Sequence, residues 1–216
     1  IEAGVLIGDA TSEWDLGDAT HTVAGSWGSA GANATSLSGL GVVEFDGPGV
    51  LSNFGASIAN VTISAGDRLC SDVAVVGDLL MTGGGLSVLD GQDVTVGGDM
   101  DLSAGTIAWD SSTDGGGLET LDVEGNCNVD ATVIDESSGA RLFCGGNWTS
   151  SAAFAPALGT VIFDAGTAAT VGGAGTMLPN VQVASGTKTV TAAIAIAGSL
   201  DICLLYTSDA ADDLWC

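Results

Sequence analysis

The sequence predicts an all-β fold, a parallel β-solenoid with coils of about 21–27 residues, and three observations predict it. The string G-[D/N/S]-apolar recurs six times, at Gly25, Gly77, Gly98, Gly125, Gly146 and Gly198. The gaps between these glycines are 52, 21, 27, 21 and 52 residues, which reads as one unit repeated every twenty-odd residues, with 52 as about two units. The apolar residues fall in short runs with a period of two, as at Val61/Ile63, Val94/Val96, Val161/Phe163 and Val181/Val183. Finally, the chain has 34 Gly and only 3 Pro among its 216 residues, and Asp, Asn, Gly and Ser fill the intervals between the apolar runs, so short strands joined by turns are expected.

Each part of the motif has an expected task. The glycine permits a corner with positive φ. The Asp, Asn or Ser after it hydrogen-bonds the backbone of the turn. The next apolar residue (Leu79, Met100, Cys127, Trp148, Leu200) returns to the core and stacks on its counterpart in the next coil. Residues 1–202 then make around eight coils, a rod of roughly 40 Å at the usual strand spacing.

A longer repeat overlies the short one. Gly25 and Gly146, Trp27 and Trp148, and Gly77 and Gly198 are each 121 residues apart. G-V-V-E-F-D (Gly41 to Asp46) matches G-T-V-I-F-D (Gly159 to Asp164), and N-V-T-I-S-A-G (Asn60 to Gly66) matches N-V-Q-V-A-S-G (Asn180 to Gly186). Two repeats of about 120 residues are expected, the second incomplete. Arg68 and Lys188 hold equivalent places in them, which suggests a repeated surface role. The chain starts at Ile1 without Met or a signal peptide, as a piece of a longer protein would.

The pattern stops at residue 202. C-L-L-Y-T-S-D-A-A-D (Cys203 to Asp212) resembles the translation of a transposon-end adapter used in preparing sequencing libraries, so residues 203–216 are read as a non-native tail. Without them Asp209, Asp212 and Asp213 drop out and the net charge moves from −24 to −21. With 3 Lys and Arg against 27 Asp and Glu, binding to nucleic acid or to an anionic membrane surface is not expected, and no apolar run is long enough to insert in a bilayer. Cations, neutral glycans and basic surfaces are the more compatible partners.

Candidate chemistry is sparse. Cys70, Cys127 and Cys144 lack C-x-x-C and zinc spacing. Cys127 and Cys144 flank consecutive motif glycines at different motif positions; the first expectation is that they are buried small apolar side chains, the second that they bridge neighbouring coils. Asp99 and Asp101 form D-x-D after Gly98 and are the calcium candidates, because a hard cation takes oxygen ligands, although alternation also makes them an outward, solvated pair. No other cofactor is expected. His21 reads as an exposed or turn histidine. The sequons at Asn33, Asn60 and Asn147 matter only in a eukaryotic secretory pathway. Trp14 and Trp109 are candidate aromatic platforms, with core or edge packing as the alternative. Some pair of Asp residues will fall at glycosidase spacing by accident, so paired carboxylates alone do not indicate an enzyme.

Taken as a pattern, "G-T-V-x-F-D … N-V-x-V … G … V-x-G-[D/N/S]-apolar" over residues 21–202 resembles the repeat regions of large bacterial surface and secreted proteins, the haemagglutinin- or autotransporter-like β-helical passengers. The resemblance implies export, a right-handed parallel β-helix, and a stalk or adhesive role at the bacterial cell surface or outside the cell. It implies as partners the neighbouring coils or domains of the same longer chain, and glycans or host and cell-surface components. It carries no catalytic residues. The expected function is therefore a structural or adhesive segment without catalysis of its own; the alternative is a fragment of a polysaccharide-active β-helix enzyme, a lyase or glycoside hydrolase, with its site elsewhere or in a carboxylate-lined groove.

Overall fold

The computed structural model describes residues 5–7, 14–29, 37–52, 57–109, 118–135, 139–154, 156 and 158–203. Within them the chain is all-β, and every strand pairing is parallel, as in a β-solenoid. Among the described residues no helix is long and apolar enough to cross a membrane. The proposed tail lies outside the described residues, apart from Cys203.

Three sheets of seven, eight and nine strands form the sides of a prism, and the chain visits them in rotation. One circuit runs from Asp67–Ser71 in the seven-stranded sheet to Val73–Val75 in the eight-stranded sheet, then to Leu79–Met81 in the nine-stranded sheet. The next circuit, Gly85–Val88, Asp93–Val96 and Met100–Leu102, lies on it in register. Two short sheets, Trp14–Asp15 with Leu37–Ser38 and Met177–Leu178 with Ala195–Ile196, continue the rotation near the two ends. The described residues make a β-solenoid of about seven turns, against the eight or so coils expected for residues 1–202.

Period two is what fills the prism. Inward positions repeat coil after coil: Val43, Val61, Leu79, Met100, Cys127, Trp148 and Val171 form one column of the nine-stranded sheet. All of them are buried. Each fully buried side chain of this kind contributes roughly 1.5–3 kcal/mol, and the stacked strands satisfy one another's backbone groups. Val190, Leu200 and Ile202 hold inward positions of the final strands yet are 57 %, 54 % and 50 % exposed.

The motif turns out to serve every corner of the prism. Gly77, Gly98, Gly125 and Gly146 all mark the passage from the eight- to the nine-stranded sheet. Gly25 lies between Thr20–Val23 and Trp27–Ser29, where the chain passes from the nine- to the seven-stranded sheet. Gly198 precedes Leu200–Ile202 of the eight-stranded sheet. Each 52-residue gap therefore spans two circuits and two further sides, not the whole pair of units expected.

The long repeat is displaced in the same way. Val42–Phe45 and Asn60–Ile63 belong to the nine-stranded sheet, whereas their counterparts Thr160–Phe163 and Asn180–Val183 belong to the eight-stranded sheet. Trp27 lies on the seven-stranded sheet and Trp148 on the nine-stranded one. The second repeat is the first shifted along the axis and turned by one side of the prism.

The expected reason for the motif glycines is overturned. None of the six has positive φ; those positions are others, such as Gly66, Gly84 and Gly105. Five of them, Gly77, Gly98, Gly125, Gly146 and Gly198, are required by close stacking. A Cβ on Gly98 would lie 2.3 Å from Asp78 Oδ1 and 2.8 Å from the backbone of Gly77 in the preceding coil. A side chain there has no room, whatever the backbone angles.

Candidate functional site

The polar residue of the motif does not bond its own turn, as expected, but reaches the next coil. At the corner between the eight- and nine-stranded sheets, Asn60 Oδ1 accepts from the backbone N–H of Asp78 (3.0 Å), and Asp78 Oδ1 from that of Asp99 (2.9 Å). Asp99 Oδ1 accepts from both the backbone and the side-chain amide of Asn126, at 2.7 and 3.0 Å. Asn126 Oδ1 receives Asn147 in the same double fashion, and Asn147 Oδ1 receives the N–H and hydroxyl of Thr170. The result is a continuous ladder along one edge of the prism. Asn180 begins a second ladder by accepting from the N–H and hydroxyl of Ser199.

Asp99, a rung of this ladder, and Asp101 lie in a groove of about 710 Å³ on the outer face of the nine-stranded sheet, with Asp78, Asn126, Asn128 and Asn147. Asp101 Oδ1 accepts from Asn128 Nδ2 at 3.0 Å. Each carboxylate uses one oxygen within the scaffold. Among the described residues no group of three or more His, Cys, Asp or Glu side chains is placed to hold a metal ion. The sequon residues Asn60 and Asn147 are ladder members; Asn33 lies outside the described residues.

The same corner carries a disulfide. Cys127 and Cys144 are bonded, with Cα atoms 6.2 Å apart and 17 residues between them in sequence. The expectation that they are unbridged apolar side chains is corrected. Cys144 ends its strand in the eight-stranded sheet and Cys127 begins its strand in the nine-stranded sheet one coil earlier. Their different motif positions are what make the bond possible, because both point inward at the two sides of one corner. Cys70 is free and fully buried, and burial pushes its thiol up to about 12.

The expected surface role of Arg68 and Lys188 also fails. Arg68 is 0 % exposed. Its guanidinium passes over Gly49, where any side chain would collide with it, and donates to the carbonyls of Gly25 and Val23. It lies 4.4 Å from the centre of the Phe45 ring. Burial lowers its pKa, opposed by the fields of Cys70 and Asp46. Lys188 is half-buried and donates to Ala165 O at 3.2 Å. Burial lowers its pKa too, opposed by Asp164, the counterpart of Asp46. The repeated role is to tie a corner from within.

Of the platform candidates, Trp109 is buried, 3 % exposed, and its indole nitrogen has no hydrogen-bond partner. The platform reading fails for Trp109 because its position in Thr106–Trp109 is inward. The side chain of Trp14 lies outside the described residues. His21 is half-buried, with Nε2 2.9 Å from Leu16 O.

Sequence reasoning missed a second groove, of about 290 Å³, on the outer face of the eight-stranded sheet. Arg141, Phe143, Ile162, Gln182 and Asp164 line it. Strand register places Phe143 beside Ile162 and Ile162 beside Gln182. Asp122, next to Phe143 on the other side, is held above the usual carboxylate range by burial first, then by Asp164, Glu124 and Asp93. The signal was in the sequence. T-V-I-F (Thr160 to Phe163) is apolar on both faces, and an outward Ile is not needed by the core.

No protein-family model matches this chain, and neither a curated protein nor a solved structure matches it.

Proposed function

We propose that this chain is a structural and adhesive repeat segment of a secreted or surface-exposed bacterial protein, acting as a rigid scaffold with no catalysis of its own. The observation that carries the reading is the Cys127–Cys144 bridge beside the Asx ladder. Disulfides of this kind persist in oxidising compartments outside the cytosol. Nearly every inward side chain is committed to stacking, and the motif residues are committed to holding coil on coil. The open inward positions Val190, Leu200 and Ile202 support neighbouring coils or domains as partners. The likeness to haemagglutinin- and autotransporter-type passengers rests on the repeat pattern.

The test is localisation together with turnover. Antibody raised to this segment labels intact source cells, and the native protein carries Cys127 and Cys144 oxidised. A cytosolic product with both thiols reduced overturns the reading. Release of reducing ends from polygalacturonate or a neutral glucan moves it to the alternative, a polysaccharide-active enzyme, which the carboxylate-lined groove of the nine-stranded sheet favours. Calcium at Asp99 and Asp101 would use their second oxygens. An unchanged Tm at millimolar calcium removes that ion from the proposal.

A further inference from the structure

The two halves of the chain can be compared position by position, because register fixes the correspondence. Thr20 pairs with Val42, Thr22 with Glu44 and Glu44 with Thr62. In the second half, Arg141 pairs with Thr160, Phe143 with Ile162 and Ile162 with Gln182. The inward residues are kept or nearly so: Val43 and Val161, Phe45 and Phe163, Val61 and Val181. The outward ones are not. Thr20, Thr22, Glu44 and Thr62 become Arg141, Phe143, Ile162 and Gln182, while Asp46 remains as Asp164. At the matching places on the nine-stranded sheet the scaffold carries threonine and glutamate, so the repeat itself does not dictate Arg141, Phe143 and Gln182 on the eight-stranded sheet.

These substituted residues are the ones that line the second groove. Ile162 is its covered floor, 5 % exposed, and Phe143 stands half-buried beside it. Arg141 is the exposed one of the chain's three cations, since Arg68 is buried and Lys188 is turned to a carbonyl. Asp164 supplies acceptors, and Gln182 both donors and acceptors.

We infer that this groove on the eight-stranded sheet is a binding site for a neutral glycan, with Phe143, seated beside the covered Ile162, packing on the apolar face of a sugar ring and Arg141, Gln182 and Asp164 meeting its hydroxyls. The inference rests on the adhesive reading above. An apolar platform with a few polar groups at its edge is the usual build of a small-ligand site, and about 300 Å³ is its lower size limit. The surrounding charge selects among glycans. Asp164 lines the groove with its single Arg141, and Asp122, next to Phe143, feels Asp164, Glu124 and Asp93, so the carboxylates outnumber the cation, and a uronate chain is repelled where an uncharged one is not.

Native affinity electrophoresis tests it, with dextran, mannan or xyloglucan cast in the gel and polygalacturonate as the acidic comparison. The expected result is retardation by at least one neutral polysaccharide and none by polygalacturonate. Phe143→Thr and Gln182→Thr, which restore residues carried by the first half, weaken the apparent affinity about tenfold or more, as loss of an anchor does. Thr22→Ala, at the matching place in the first half, leaves it unchanged. Equal retardation of wild type, Phe143→Thr and Gln182→Thr overturns the site and leaves the adhesive reading standing through another face. No retardation by any neutral polysaccharide overturns the site as well; surface labelling of intact cells then decides the adhesive reading separately.

Discussion

Asp78 and Gly98 meet at one corner of the prism so closely that the carboxylate of the first occupies the space a side chain on the second would need. The same oxygen, Asp78 Oδ1, accepts from the N–H of Asp99. The motif is thus a pair of complementary halves, a missing side chain in one coil and an acceptor from the coil before it.

Gly98→Ala is accordingly expected to destabilise the fold by about 1–3 kcal/mol, the usual effect of forcing atoms into a packed site. Gly166→Ala is the control, since a Cβ there meets nothing within 4 Å and the backbone lies outside the positive-φ region. Its melting temperature should be unchanged or slightly higher, because alanine restricts the unfolded chain. Equal losses in the two variants would refute close stacking as the reason for the motif.

Asp99→Asn should keep the ladder, because its side-chain oxygen still accepts from the backbone of Asn126. Asp99→Ala leaves two donors of Asn126 without that acceptor and should cost about 1–2 kcal/mol. Denaturant titration of both variants distinguishes a structural acceptor from a decorative charge.

Reduction, or Cys127→Ala with Cys144→Ala, opens a loop of 17 residues in sequence separation. A loop of that size gives an expected loss of about 3 kcal/mol. Alkylation after unfolding without reductant should label Cys70 but neither Cys127 nor Cys144, which peptide mass spectrometry reads directly. In the folded protein Cys70 should react slowly, since burial holds its thiol near 12.

Asp122 should give the fold a distinctive pH response. Its folded pKa is raised, chiefly by burial and further by Asp164, Glu124 and Asp93, so the native state binds the proton more tightly than the unfolded chain. Its ionised form therefore weighs against folding at neutral pH, and this cost is relieved as pH falls through the raised folded pKa toward the ordinary aspartate range. Asp122→Asn should raise the melting temperature at pH 7 and lose that gain as pH approaches the ordinary value. A melting temperature unchanged at pH 7 would place Asp122 in open solvent.

Arg68→Leu removes two charged hydrogen bonds, to Val23 and Gly25, and should cost about 2–3 kcal/mol. Lys188→Leu, with one bond from a half-buried side chain, should cost less. The order of the two midpoints in urea checks whether the buried member of the pair is the structural one.

Much of the fold was legible because a solenoid writes its geometry into spacing. Leu79, Met100, Cys127 and Trp148 stack as the motif placed them. The rotation between the halves was not legible. A corner asks for the same local chemistry on any side, so Gly25 and Gly146 look alike in sequence while turning different edges. Arg68 was misread because charge normally marks a surface, and only the bare Gly49 beside it opens a path inward. The groove at Phe143 was missed because Thr160–Phe163 carries apolar residues on both faces, which blurs alternation.

The turn of one side between Trp27 and Trp148 makes the molecule a screw rather than a striped column. Any feature carried once per long repeat would climb around the axis, facing a new direction at each recurrence. A rod built this way would offer its contacts to its surroundings from every azimuth, and would need no particular orientation to meet a surface.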